Sequence, residues 1–507
     1  MASAGLFAIF DVRERGEYND GQIPNSTSLP RSQIEFRIAE LVPSRKITIV
    51  VYDEGGPRAE LAAATLTGLG YEDVVILCGG LAEWQSEWRA IVSGVNVPSK
   101  AFGEIVHHDR QVPDVSPEEL KKMIDGQIEL TILDVRTPEE YGRFCLPGGI
   151  NVPGGDLILW ADELRLKPTV IVNCAGRTRS IIGTAALRRL GLTNVRALRN
   201  GTMGWVLAGL PLETKPARRG PAASTNTRAA ALAAAQRIAE EENIAWISAD
   251  DAARLSARKT DGVSYLLDVR SEEEFASGHM AGAVSLPGGQ AVQRADDFAP
   301  VRNGTIVFIS NDSTRAVMAA YWYKQMGFPK VFVLQGGLNS WQASGRPLIN
   351  GSVTQVPLGF AAANDAARLI TAADLQSILE KKESLIFDVG SSLDFESAHV
   401  PSARWISRGW LDIKLPELCA DRRQSIVLTC PDGQQSIFGA AALKQLGYID
   451  VSVLDGGVRA WSSANYPIES GLNDCLVPPN DVVLSPSIRG SKEDMQKYLD
   501  WELKLKR

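Results

Sequence analysis

Apolar runs recur along the chain with the same polar punctuation. Residues 6–12, 130–135, 265–269 and 385–389 each end in Asp-Val, at Asp11, Asp134, Asp268 and Asp388. Three continue with Arg and an acidic stretch holding Glu17-Tyr18, Glu140-Tyr141 or Glu274-Phe275; the fourth has Gly390 and then Asp394-Phe395. A second apolar run follows each time, at 47–52, 169–173, 305–309 and 425–429, and opens into a short polar loop and an alanine-rich amphipathic segment ending in Leu-Gly or Met-Gly. A third run leads to Gly79-Gly80, Asn200-Gly201, Gly336-Gly337 or Gly456-Gly457, and then to a tryptophan. Asp53, Cys174, Ser310 and Cys430 open the four polar loops, and each precedes its tryptophan (Trp84, Trp205, Trp341, Trp461) by 31 positions. An equal interval in four places identifies four copies of one supersecondary plan.

Runs that are apolar throughout predict parallel strands buried on both faces, and their alternation with amphipathic segments predicts an α/β fold. Each copy reads as a small doubly wound domain of roughly 100 residues, a central parallel sheet flanked by helices. The expected domains are 1–100, 115–213, 244–350 and 369–470. Residues 214–243 form an Ala/Arg-rich linker whose later part, 226–242, is expected as an exposed helix. As the widest gap between copies, this linker is expected to divide the chain into two halves of two domains. In the tail, 471–507, Ser491 and Asp494 have capping-box spacing and predict a short terminal helix. The first copy lacks the leading helix that residues 115–120 supply in the second.

Composition narrows the function class. A length of 507 residues suits roughly three or four domains, and 45% hydrophobic with 22% charged residues is ordinary for globular protein. A net charge of −7 argues against a nucleic-acid partner. No apolar run approaches the roughly 18 residues of a membrane span, and the N-terminus does not read as a signal peptide. Six cysteines without CxxC spacing and four scattered histidines suggest neither a disulfide framework nor a metal site. The expectation is a reduced, cytoplasmic protein without a cofactor.

Candidate chemistry concentrates in the second loop, Cys174-Ala175-Gly176-Arg177-Thr178-Arg179-Ser180. Active sites of such sheets lie at the carboxyl ends of the strands. A cysteine there, before a helix beginning near Ser180, faces converging backbone N–H groups and the helix dipole. Its pKa is expected to fall well below the free value of about 8.5. Arg177 and Arg179 are expected to hold an anionic substrate. An ionised nucleophile beside donors for a negatively charged product is what sulfane-sulfur transfer requires.

The repeated DVR, EEY, PGG and LP pattern, the strand–Cys–loop–helix and the Gly-Gly…Trp signature resemble the rhodanese superfamily. The first motif is clearest in the third copy: Asp268-Val269-Arg270, Glu274-Phe275, Gly278-His279 and Leu286-Pro287. The four-copy layout resembles multidomain bacterial thiosulfate sulfurtransferases. The resemblance implies that Cys174 attacks the outer sulfur of thiosulfate, releases sulfite, holds a persulfide and passes the sulfur to cyanide or a thiol. Phosphatases of this fold carry a loop one residue longer; mercaptopyruvate sulfurtransferases usually carry small uncharged loop residues. Arg177 and Arg179 therefore favour thiosulfate.

The other copies depart from this pattern. Asp53 is a carboxylate, expected to fill its own anion nest, and Ser310 has no adjacent base, so copies one and three are expected to be silent. Cys430 is a possible second site, but its loop lacks both arginines and holds Asp432. Cys78 is expected in the core, Cys145 as packing or solvent-facing, and Cys419 and Cys475 carry no assignment. The four tryptophans are expected as packing. The Asp-Val-Arg arginines are expected as structural ion pairs, with Arg136 adding field at Cys174. A competing reading makes the chain a sulfur carrier or docking module that receives sulfur from a partner protein.

Overall fold

The computed structural model describes residues 5–220, 223–257, 262–353 and 356–505. Each copy builds one parallel sheet. In the second, the strand order is Asp114–Val115, Val195–Leu198, Val170–Asn173, Thr131–Asp134, Ile150–Asn151. The third and fourth copies have the same five-stranded order, and the first has four strands, Thr27–Ser28, Phe7–Asp11, Thr48–Tyr52, Asp73–Ile76. The central strand Val170–Asn173 is buried at every position, as a sheet covered on both faces demands. The architecture is the expected α/β one.

The constant 31-residue interval has a geometric cause. The turn before each tryptophan passes the backbone of the residue that opens the polar loop. The N–H of Leu81, Thr202, Leu338 and Val458 donates to the carbonyl of Asp53, Cys174, Ser310 and Cys430, at 2.7–2.9 Å. Gly201 has a φ of +52°, and a Cβ there would collide with the Cys174 carbonyl, so the close approach needs glycine. Each tryptophan then donates its ring N–H to a carbonyl six residues on, Ala90, Pro211, Pro347 or Pro467. Trp205, Trp341 and Trp461 are buried packing residues; Trp84 is partly exposed.

The chain does not divide into sequential halves. One compact unit comprises Asn96–Val353 with the tail from Leu484 and the first six residues; the other comprises Phe7–Val95 with Thr354–Val483. The second and third copies thus share a unit, and so do the first and fourth. The contacts explain the pairing. Pro153-Gly154-Gly155 lies against Pro287-Gly288-Gly289, where a Cβ on Gly155 would come 2.9 Å from the Gly288 Cα. The first and fourth copies carry arginines at the matching places. Arg31 pairs with Asp412 at 2.7 Å and Arg408 with Glu35 at 2.6 Å.

The linker helix is also corrected. Thr225–Glu241 is helical, but Ala231, Ala235, Ile238 and Ala239 are buried. This stripe packs the helix between Leu157–Arg165 and Thr314–Gln325, so only its opposite face is exposed. Cys78 is exposed rather than core, because it follows the edge strand Asp73–Ile76, whose own residues are exposed or half-buried. Cys145 is buried, and burial pushes its thiol up to about 11.

Three copies form the expected Asp-Val-Arg ion pair: Arg13–Asp11, Arg136–Asp134 and Arg270–Asp268, at 2.6–2.7 Å. Gly390 leaves Asp388 of the fourth copy without that arginine. Asp388 accepts from the Gly390 N–H and the Thr429 hydroxyl, both at 2.9 Å, yet burial pushes its carboxyl up to about 7. Ionisation is therefore easier unfolded than folded. The stability contributed by the neutral carboxyl is complete below about pH 4 and is lost as pH rises through about 7, up to about 4 kcal/mol. Asp388→Asn is expected to flatten this decline in denaturant titrations across that range; an unchanged pH profile would contradict it.

Candidate active site

Cys174 follows the strand Val170–Asn173 directly, and the helix Thr178–Arg189 begins four residues later. The side chain is 2% exposed. Its thiol lies 3.5 Å from the Ser180 hydroxyl, which in turn donates to the Arg177 carbonyl at 2.8 Å. The Ser180 backbone N–H also points to the sulfur. Of the loop groups expected to converge on Cys174, those of Ser180 reach the sulfur.

The expected electrostatics are only half present. Burial pushes the Cys174 thiol up rather than down, and the Glu502 carboxyl adds to this; Arg179 and the Ser180 hydrogen bonds oppose it. Spacing shows the loop and its cations but not what covers them. Here the tail helix Lys492–Lys504 lies over the loop, with Met495 and Leu499 packed on Met203 and Tyr498 packed against them.

Neither arginine is an idle cation. Arg177 donates to Glu104 at 2.6 and 2.8 Å and to Asn200 at 3.0 Å. Glu104 belongs to the helix Val97–Asp109, which packs on Thr178–Arg189. Arg179 forms a two-pronged pair with Glu140 at 2.5 and 2.8 Å, which holds that carboxyl down to about 2. Arg58 makes the same fork to Glu17 and Arg315 to Glu274, in loops without cysteine. The fork is thus a feature of the fold in three copies. At Cys174 it also places a cation beside the sulfur: Arg179 bears on the Cys174 thiol directly, whereas Arg177 is held by Glu104.

The parallel loops differ at the central atom. Asp53 accepts from the N–H groups of Gly55, Gly56 and Ala59 at 2.7, 3.0 and 3.1 Å, so a carboxylate fills the first nest. The Ser310 hydroxyl accepts from the Ala316 N–H at 3.3 Å. The Cys430 sulfur accepts from the Ser436 N–H at 3.4 Å, and Asp432 is 4.0 Å away. Burial, Asp388 and Asp432 push this thiol up to about 11. Gln435 stands where the fork arginine would be and bonds instead to Arg408 and Ser32.

Sequence reasoning missed Glu104, Glu502 and Tyr498. The first two are charges facing the loop from helices distant in sequence, and no local motif marks them. Glu140 was visible as part of the acidic stretch, but its partnership with Arg179 was not. Among the described residues no cluster of metal-ligating side chains occurs, and no helix is long and apolar enough to cross a membrane.

A cysteine at the end of a parallel strand, cradled by the following loop and helix, places a nucleophile at the carboxyl edge of the sheet in one of four domains built on the same plan. The rhodanese-like domain model matches residues 1–87, 116–208, 248–344 and 371–464, and the chain belongs to the rhodanese family. A crystal structure of a thiosulfate sulfurtransferase from Pseudomonas aeruginosa is similar over 99% of this chain and 94% of that one, with 38% identity and a TM-score of 0.91. Among curated proteins, 3-mercaptopyruvate sulfurtransferase of Escherichia coli K12 is 29% identical over 234 residues, 40% of this chain and 80% of its own length. A thiosulfate sulfurtransferase of Pseudomonas aeruginosa is 29% identical over 210 residues, 36% of this chain and 76% of its own. Sulfur transfer is the activity these relatives share.

Proposed function

We propose that the chain is a thiosulfate sulfurtransferase working through a persulfide on Cys174. The observation that carries this reading is the Cys174 sulfur at the end of the strand Val170–Asn173, 3.5 Å from the Ser180 hydroxyl at the start of the helix that bears Arg179. The Cys174 thiolate attacks the outer sulfur of thiosulfate. A new S–S bond forms to Sγ, the bond to the sulfonate sulfur breaks, and its electron pair leaves with sulfite. The persulfide anion then gives its terminal sulfur to cyanide or a thiol, and the electron pair of the broken bond returns to Sγ. Loop N–H groups and Arg179 stabilise the negative charge on the persulfide. Ala175, Gly176, Thr178 and Ser180 supply the loop backbone, and Arg177 shapes it through Glu104.

In this reading 115–213 is the working domain. Domains 1–100 and 244–350 are silent, because neither Asp53 nor Ser310 can carry sulfur. Domain 369–470 is at most weakly active, because Gln435 stands in place of the fork arginine and Asp388 and Asp432 act on Cys430. Linker and tail are 214–243 and 471–507.

Thiocyanate formation from thiosulfate and cyanide, with mass spectrometry for one added sulfur on Cys174, tests the reading. With Cys174→Ser as background, thiosulfate is expected to leave Cys430 unmodified; a stoichiometric sulfur adduct there would make the fourth copy an independent site. The competing reading is a sulfur carrier or docking module that receives sulfur from a partner protein. Adduct formation from free thiosulfate separates the two.

A further inference from the structure

The tail helix does more than cover the Cys174 loop. Glu502 is 2% exposed, and its Oε1 accepts from the Tyr498 hydroxyl at 3.1 Å and lies 3.5 Å from the Thr178 hydroxyl. Its Oε2 is buried with no hydrogen-bond partner among the described residues. That oxygen points at the loop: a Cβ on Gly176 would sit 3.1 Å from it. Around this carboxyl stand Lys100 and Glu104 from the helix Val97–Asp109, Arg177 and Cys174 from the loop, Arg179 beyond them, and Tyr498 on its own helix. Lys100 is itself seated over the rings of Tyr498 and Trp501, at 4.9 and 4.7 Å, which ties the tail to the helix before the second domain.

A buried carboxyl oxygen without a donor is costly when ionised. It is retained here at the one loop that combines a cysteine with cations. We propose that Glu502 is a specificity-determining residue of the Cys174 site: ionised, it excludes negatively charged sulfur donors, and neutral, it admits them. A carboxylate facing the Cys174 loop repels an incoming anion and leaves an uncharged reagent unaffected. Burial pushes the Glu502 carboxyl up, Lys100 and the Tyr498 hydrogen bond oppose this, and Glu104 adds to it, so the switch lies above the ordinary carboxylate range. The proposal rests on Cys174 being the sulfur-carrying nucleophile.

The test compares two alkylating reagents of similar size on the full-length protein, with modification of Cys174 read by peptide mass spectrometry. Iodoacetate is an anion throughout and iodoacetamide is neutral. Thiol ionisation and any movement of the tail affect both rates alike, so their ratio isolates charge at the site. In the wild type the iodoacetate-to-iodoacetamide ratio is expected to fall as pH rises from mildly acidic to mildly alkaline. Glu502→Gln is expected to abolish that fall and to raise the alkaline ratio roughly tenfold, the scale of one like charge about ten ångströms from the reagent at an effective dielectric constant of about 20. Tyr498→Phe removes a hydrogen bond that favours the ionised carboxyl and is expected to move the fall to higher pH. A ratio that is flat in the wild type, or falls equally in Glu502→Gln, would overturn the proposal, as would an unmoved transition in Tyr498→Phe. Absence of a sulfur adduct from thiosulfate, with the ratio behaving as expected, would instead count against thiosulfate as donor and leave the role of Glu502 standing.

Discussion

Cys174→Ser is expected to lose nearly all thiocyanate formation from thiosulfate and cyanide. The hydroxyl has no base beside it and forms no persulfide, so the covalent route closes. Ser310 already shows what the replacement does in the fold: a hydroxyl accepting one N–H at 3.3 Å at the end of a parallel strand. The same exchange at Cys174 keeps the shape of the loop and removes only the sulfur chemistry. A residual rate above roughly a tenth of wild type would mean that Cys174 is not the principal nucleophile, since covalent catalysis by one atom does not survive its loss. Cys430 does not rescue it, because its thiol is pushed up to about 11 and its neighbours are Asp388 and Asp432.

The second large effect is expected at Arg179. Arg179→Ala removes the cation that acts on the Cys174 thiol and leaves the half-buried Glu140 carboxylate unpaired nearby. Both changes push the thiol further up and disfavour a dianionic donor. The kcat/KM for thiosulfate is expected to fall roughly ten- to a hundredfold, the equivalent of about 1.5–3 kcal/mol for a charge-assisted hydrogen bond. The alkylation rate of Cys174 is expected to shift to higher pH. Adding Glu140→Gln restores part of the loss, because it removes the orphaned charge. Arg177→Ala is expected to cost less at the sulfur, since Glu104 and Asn200 already hold that guanidinium. An unchanged kcat/KM in Arg179→Ala would make the fork to Glu140 purely structural, as its counterparts at Arg58 and Arg315 are.

These two residues were legible before any coordinates, for local reasons. A strand, a loop and the next helix are consecutive in sequence, so Cys174 and the loop after it had to share one strand end. The four-fold interval to the tryptophans was equally visible, because each Gly-rich turn must meet the carbonyl of the loop-opening residue. Asp53 inside its own nest follows from the same locality.

What the sequence by itself determined, then, is everything carried by contacts within one repeat: the parallel sheets, the loop that holds Cys174, the Asp-Val-Arg ion pairs and the Gly390 that denies Asp388 its arginine. Tertiary structure decided the rest. Which copies pair depends on whether Gly154-Gly155 and Gly288-Gly289 let two backbones touch, or Arg31 and Arg408 reach for carboxylates, and these partners lie over a hundred residues apart. The charge state at Cys174 depends on Glu502, carried to the loop by the helix at 492–504. A pKa is set by every charge and every ångström of burial around the atom, whatever the distance along the chain. The loop motif predicts a lowered thiol pKa; burial of the sulfur reverses the direction.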